Sequence, residues 1–497
     1  MTVSAPTLQQ AARTEQPAAA PAHRAVVLAC LLIVTVTAFR FWIPMLTGGF
    51  RFDENSTAWI VSDTIGDAIE RSWNHQGQSP LYFALLWFWQ FLAGSSELAL
   101  RVPSIVALFV GAWHVFRLGE RFNGHLAGVL AATFFLGIPN GATEARPYIF
   151  LVVAMILGAR AGLAWLDSGR LRYGLTWAAA CAFAFAMHPF AVYAILGQFV
   201  FPWVSWQRRR SMSELATVGF FGMAMMAPVV PQVLMLLARQ PTLVLVDAPS
   251  MLDLLKALAP LALVPVLVLG AIGVPLGRWS GLKSVDAPTW LLLLGWTTFP
   301  VLGLFAQSHL TGSSVFVERY WFAAAPAVAL LSATFVMRIG MSRLALGIAL
   351  GFFALISASE LKPFGTHEWR AAVALIEAAP ADAAIWTYAG YVESTDPSSF
   401  AEDAATDYLS APYLAHGVER PVRAIPVADD QSGRDILDGA VRDAAATQRT
   451  IVLAEPHDGS ERRPGLHYVE DELLAAGYIV SESVTVPGVR LTTFTVS

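Results

Sequence analysis

Long apolar runs separated by short polar connections dominate this chain. Runs at about 25–46, 101–118, 125–139, 148–166, 171–187, 190–206, 213–236, 255–276, 288–306, 319–338 and 342–358 come near the ~18–20 residues a helix needs to cross a bilayer. A further run, SPLYFALLWFWQFLAG at 79–94, is shorter and rich in Trp and Tyr, which predicts a re-entrant or interfacial helix. Between residues 51 and 83 the pattern changes. Trp59, Ile60, Ile65, Ile69 and Trp73 recur at near-helical spacing, with Asp63, Asp67, Glu70 and Arg71 opposite them. That predicts one amphipathic helix over 56–73, lying on the membrane surface. After about residue 361 the long runs stop. HEWRAAVALIEAA, RDILDGAVRDAAA and YVEDELLAAG have helical periodicity, AAIWTYAG and RTIVLAEP look like buried strands, and YIVSESVTVPGVRLTTFTV alternates like a strand pair. The expected fold class is a polytopic α-helical membrane protein of about eleven spans with a C-terminal α/β domain over residues 361–497.

Composition agrees: the chain is 56% hydrophobic and only 14% charged. A net charge of −5 and the lack of a basic tract argue against a nucleic-acid partner. Cys30 and Cys181 fall inside apolar runs, so neither a disulfide framework nor metal-type spacing is evident. Residues 1–24, rich in Ala, Gln, Thr and Pro, read as a disordered cytoplasmic tail, and the run after them is too long for a signal-peptide core. Arg117/Arg121, Arg170/Arg172, Arg208–Arg210, Arg278/Lys283 and Arg338/Arg343 occupy alternate connections. The positive-inside rule places them with the N-terminus in the cytoplasm and the C-terminal domain outside, provided that segment 79–94 does not cross. A multi-pass protein of the cytoplasmic membrane is expected.

This orientation gathers the unusual polar residues on the outer face: Asp53, Glu54, His75, Gln78, Glu97, Arg101, Glu144, Arg146, His188, Gln307, His309, Glu318, Arg319 and Tyr320. Ionisable groups at membrane depth are costly and are functional candidates by default. Asp53 and Glu54, in GGFRFDENSTAW, sit where the first span ends. Two readings stay open for them: caps for the helix that follows, or carboxylates serving a substrate held at headgroup depth by a lipid tail. Glu97 and Arg101, spaced i,i+4, suggest an ion pair fixing the short helix. No P-loop or dinucleotide fingerprint occurs, which argues against a nucleotide-sugar donor bound in such a fold.

FDE after the first span, QSPLYFALLWFW about 25 residues on, SSELALRVPSIVALFVG, EARPYIFLVV, MHPFAVYAILGQF and ERYWFAAAPAVALL occur in that order. Over roughly residues 25–360 the chain resembles the PMT_2-type membrane glycosyltransferases of the GT-C class, with a closer likeness to the RgtA/B/C/D-like group. Gln78-Ser79-Pro80 stands where His-Pro-Pro is common, and Pro189 follows His188 where an aromatic is usual.

The resemblance implies an inverting transfer of a sugar from a polyprenyl-phosphate donor to a hydroxyl of a lipid, glycan or protein acceptor at the outer face of the bilayer. It implies Asp53 as the base, with Glu54 orienting it or joining it in holding a divalent metal, the one cofactor considered. Glu144 is a second site carboxylate or a structural partner of Arg146. Arg146 and Arg319 suit the lipid phosphate, because a planar guanidinium matches phosphate oxygens bidentately. Tyr320 joins them or anchors the interface. His188, His75 and His309 are further candidates for phosphate, acceptor or metal, against the reading of hydrogen-bonded interfacial histidines. A flippase, transporter or ligase of lipid-linked sugars, or an inactive member working through its outer domain, is the alternative.

Overall fold

The computed structural model describes residues 30–31, 33–35, 37–38, 42–76, 79–137, 142–206, 212–238, 247–258, 287–338, 368–388, 391–400, 403–426, 430–456 and 464–497. The expected tail, most of the first span, the spans at 255–276 beyond Leu258 and at 342–358, Gln78 and the domain boundary lie outside these residues.

The segment after the first run does not form a single surface helix. It folds as α1 (Phe52–Ile60) and α2 (Ile65–Arg71), followed by a wider turn over Ser72–Gln76. Thr64 caps α2 by accepting from the Asp67 amide, while Asp67 accepts from the Thr64 amide; this reciprocal cap starts a new helix and breaks the old one. Glu54 to Ile60 are buried, so α1 lies inside the protein rather than on the bilayer.

The apolar run at 79–94 is α3 (Pro80–Ala93), opened by the Ser79 cap and a first-turn proline and closed at Gly94, whose φ of 86° favours glycine. Tyr82 packs on Phe150, and the indoles of Trp87 and Trp89 donate to the carbonyls of Asp63 and Ala99. These contacts tie α3 to the loop after α1 and to the first turns of the helices that begin at Glu97 and Tyr148.

The bundle continues with α4 (Glu97–Asn123), α5 (His125–Gly137), α6 (Tyr148–Ser168), α7 (Leu171–Met187), α8 (Ala191–Trp206), α9 (Met212–Met226), α10 (Val230–Ala238), α11 (Met251–Leu258), α12 (Ala287–Leu310), the short α13 (Glu318–Trp321) and α14 (Ala325–Arg338). Among the described residues, four segments are long and apolar enough to span a bilayer: Glu97–Asn123, Tyr148–Ser168, Met212–Ala238 and Ala287–Leu310. Short connections make neighbouring helices run back and forth. Arg121 pairs with Asp167 at 2.8 Å and Asn123 donates to Thr334 at 3.1 Å, so these positions share the end of the bundle away from α1. Helices α8 and α12 cross where Gly197 meets Gly295; a Cβ on Gly197 would lie 2.4 Å from the Gly295 carbonyl oxygen. Only glycine permits that approach.

The C-terminal residues form a five-stranded sheet of order β2-β1-β3-β5-β4. Strands β1 (Ala384–Tyr388), β2 (Val422–Ile425) and β3 (Ile451–Pro456) are parallel, and β4 (Tyr478–Val486) and β5 (Val489–Val496) form an antiparallel hairpin beside β3. Successive strand residues face opposite layers. Trp386 and Leu453 pack with Leu437 and Val469 on α18 (Gln431–Thr447) and α19 (Pro464–Ala475). Ile385 and Val452 pack with Trp369 on α15 (Trp369–Ala378) and Tyr413 on α17 (Ala411–Leu414), which follows α16 (Asp403–Leu409). The expected α/β character is therefore present, and Trp386 and Tyr413 are core residues.

Candidate active site

Asp53 and Glu54 are consecutive on α1, so helical geometry turns their side chains about 100° apart. Their surroundings differ accordingly. Glu54 is fully buried: Oε1 accepts from Arg101 Nε at 2.8 Å and the Ala145 amide at 2.9 Å, and Oε2 from Arg101 Nη2 at 2.5 Å and the Arg51 amide at 2.8 Å. Glu54 is the carboxylate that caps the helix. Arg101 completes the knot by donating to the carbonyls of Gly48 and Gly49, each at 2.9 Å. The expected Glu97–Arg101 pair does not form. Arg101 faces inward to Glu54, while Glu97 accepts two bonds of 2.8 Å from Arg370 on α15.

Asp53 keeps a side-chain exposure of 31%, so it remains reachable. Its carboxylate pairs with Arg319 on α13, and Arg146 Nη1 donates to its backbone carbonyl at 3.2 Å. Burial alone would raise the Asp53 carboxyl, but the guanidiniums of Arg319, Arg146 and Arg51 outweigh it and hold it below the usual carboxylate range. Glu144, which precedes Arg146, pairs with Arg51 rather than with Arg146, and burial pushes its carboxyl up. Four guanidiniums (Arg51, Arg101, Arg146, Arg319) thus meet three carboxylates (Asp53, Glu54, Glu144), which leaves a positive excess. The Nε–H of Arg319 is buried with no hydrogen-bond partner among the described residues.

His188, at the turn between α7 and α8, lies between Tyr148 and Tyr320 at ring-centre distances of 5.5 and 5.1 Å. Its Nδ1 accepts from the Phe190 amide at 3.3 Å, which leaves the proton of the neutral ring on Nε2. Burial, with Arg146 and Arg319 nearby, lowers its pKa to about 3. It is a neutral donor, not a cation.

The other two histidines stand apart. His75 stacks on Tyr408 of α16 at 5.4 Å and packs edge-on to Trp59. His309 donates to the Pro249 carbonyl at 3.0 Å and packs on Phe305, with none of its described contacts in the Asp53 cluster.

The C-terminal residues grip the same loop. Trp369 Nε1 donates to the Phe50 carbonyl at 2.9 Å, Tyr391 Oη to the Phe52 carbonyl at 3.2 Å, and His416 Nε2 lies 3.0 Å from Asn55 Oδ1. The Phe52 and Tyr391 rings approach to 4.1 Å. Sequence reasoning missed Arg51, Tyr148, Tyr391 and Tyr408. The first two lie inside the RFDEN and EARPY stretches and were visible; the latter two reach the loop only through the sheet's position.

A divalent ion shared by Asp53 and Glu54 does not fit this arrangement, because both Glu54 oxygens are already bonded by protein donors. Among the described residues no three His, Cys, Asp or Glu side chains converge as a metal site.

Residues 77–232 match the family described as dolichyl-phosphate-mannose-protein mannosyltransferase, PMT_2. No curated protein sequence matches the chain. Among solved structures, the fold is similar to that of ArnT from Cupriavidus metallidurans bound to undecaprenyl phosphate, with 12% identity over 97% of this chain and 99% of that one and a TM-score of 0.54. The apo form of the same protein gives 12% identity over 93% and 97%, with a TM-score of 0.53. The motif order along the chain, the family match and the shared fold agree on a resemblance to the GT-C class of membrane glycosyltransferases.

Proposed function

We propose that this chain is an inverting glycosyltransferase that moves a sugar from a polyprenyl-phosphate donor to an acceptor hydroxyl at the outer face of the cytoplasmic membrane. The observation that carries the reading is the pairing of a reachable carboxylate, Asp53, with the arginine of an over-cationic cluster, Arg319. A lipid phosphate is an anionic leaving group that needs charge neutralisation, and Arg319 and Arg146 supply it from two helix ends. The acceptor hydroxyl is a poor nucleophile and needs a base, which contributes roughly 10²–10⁴-fold.

The two requirements meet at one ion pair. In the free protein Arg319 holds Asp53 ionised. Phosphate arriving at Arg319 draws the guanidinium away, which releases the carboxylate toward the acceptor and raises its basicity. The hydroxyl proton passes to Asp53 as its oxygen attacks the anomeric carbon and the phosphate departs. One displacement gives inversion, and no covalent sugar–protein intermediate is needed. Neutral His188 and Tyr320 offer N–H and O–H donors beside the phosphate position, and Glu54 with Arg101 holds the start of α1. Glu144 positions Arg51. The positive-inside pattern puts this face outside the cytoplasm, where a lipid, glycan or protein acceptor would arrive. ArnT was solved bound to undecaprenyl phosphate, a ligand of the proposed donor chemistry.

The test is to incubate purified protein with a panel of polyprenyl-phosphate sugars and lipid, glycan or peptide acceptors, following release of the polyprenyl phosphate. Transfer with inversion is expected from wild type, and a loss of about 10²-fold or more from Asp53→Asn. Full transfer by Asp53→Asn would remove Asp53 as the base.

A further inference from the structure

At the far end of the bundle from Asp53, we infer a binding site for the phosphodiester headgroup of an anionic glycerophospholipid, built from His114 and Arg117 on α4 and Arg160 on α6. Arg160 lies eight residues before the end of α6 at Ser168, which places it about 12 Å inside that helix end. His114 lies nine residues before Asn123 on α4, at a matching depth of about 13 Å. The two side chains meet, with Arg160 Nη1 donating to His114 Nδ1.

The neighbouring arginines show what is missing. Arg117 pairs with Glu120 at 2.9 Å and Arg121 with Asp167 at 2.8 Å, both closer to the helix ends. Arg160, the deepest of the three, has no carboxylate partner among the described residues, and Arg117 is near enough to repel it. A guanidinium at membrane depth is costly without an anion, and histidine supplies none.

The surface beside the cations suits acyl chains. Val106, Phe109, Val110 and Trp113 on α4 and Leu157 on α6 are exposed and lie on the same outward stripes as His114, Arg117 and Arg160. The Arg117 guanidinium stands 5.9 Å from the Trp113 ring centre. Cations one to two turns from an open apolar stripe match the two halves of a phospholipid, whereas a soluble anion would have no use for the stripe. Basic pockets between helices are a known way to hold anionic headgroups.

Native mass spectrometry of the detergent-solubilised protein with phosphatidylglycerol or phosphatidylcholine tests the site, alongside thermal unfolding with each lipid and with inorganic phosphate. Wild type is expected to retain phosphatidylglycerol over phosphatidylcholine. Arg160→Gln should lower that retention about fivefold, the worth of one arginine near an anionic surface. Arg172→Gln, at the same end but outside the cluster, and Arg319→Gln, in the proposed active site, should retain it. Equal retention of the two lipids, or unchanged retention in Arg160→Gln, would overturn the site. Stabilisation by inorganic phosphate equal to that by phosphatidylglycerol would overturn the lipid as its occupant. The comparison of lipids on wild-type protein stands even if Arg160→Gln fails to fold.

Discussion

Neutralising Arg101 should unlock the start of α1, and the size of the effect follows from its surroundings. Arg101 and Glu54 are both fully buried, joined by bonds of 2.8 and 2.5 Å, and Arg101 also serves the carbonyls of Gly48 and Gly49. In Arg101→Gln the Glu54 carboxylate keeps only the amides of Arg51 and Ala145. Breaking a buried pair by removing one partner costs about 3–5 kcal/mol. Glu54→Gln should cost a similar amount, because it leaves the buried guanidinium without its counter-charge. The double variant should cost little more than either single one, so the coupling in a double-mutant cycle is about 2–4 kcal/mol. A parallel cycle between Glu97 and Arg101 should show no coupling beyond about 0.5 kcal/mol, because those side chains face different partners. Equilibrium unfolding in mixed micelles, followed by tryptophan fluorescence, measures both cycles. A cost below about 1 kcal/mol for Arg101→Gln, or clear coupling between Glu97 and Arg101, would refute the buried knot.

Other outcomes follow from the same geometry. Gly197→Ala should destabilise by about 1–3 kcal/mol, since its Cβ meets the Gly295 carbonyl, whereas Gly219→Ala on α9, with open space, should be neutral or stabilising; thermal unfolding compares them. His416 is buried and its pKa falls to about 4, against ~6.5 when unfolded. Folding therefore favours its neutral form: the contribution is fully present above about pH 6.5 and is lost as pH falls toward 4, by up to about 3 kcal/mol. His416→Gln should flatten stability across that window. In the kcat/KM profile, the guanidiniums around Asp53 keep it ionised below the ordinary carboxylate range, so an acid limb from its protonation should lie below that range. A limb near pH 6 that persists in His188→Gln would contradict Asp53 as the base. Arg319→Lys should weaken donor binding, read as a rise in KM, because an ammonium cannot match phosphate bidentately.

The periodicity of the chain by itself determined the apolar helices, four segments of which are long enough to span a bilayer among the described residues, the short aromatic helix at 80–93 and the alternating helices and strands of the C-terminal residues. These depend on local hydrophobic patterning, which every folded arrangement must respect. The motifs also brought Asp53, Glu144, Arg146, His188, Arg319 and Tyr320 forward as candidates. Tertiary structure decided which charge meets which. Glu97 and Arg101 satisfy helical spacing, yet the burial of Arg101 beside Glu54 wins, because a fully desolvated pair with backbone support outweighs an exposed i,i+4 contact. The Thr64 cap broke a helix that hydrophobic spacing had continued through residue 61. Most of all, only the fold separated the two adjacent carboxylates. One residue of helical rotation sends Glu54 into a buried knot with Arg101 and leaves Asp53 facing Arg319, more than 260 positions away in the chain. Local sequence encodes neighbours along the chain; the partner that sets a carboxylate's chemistry is chosen by packing.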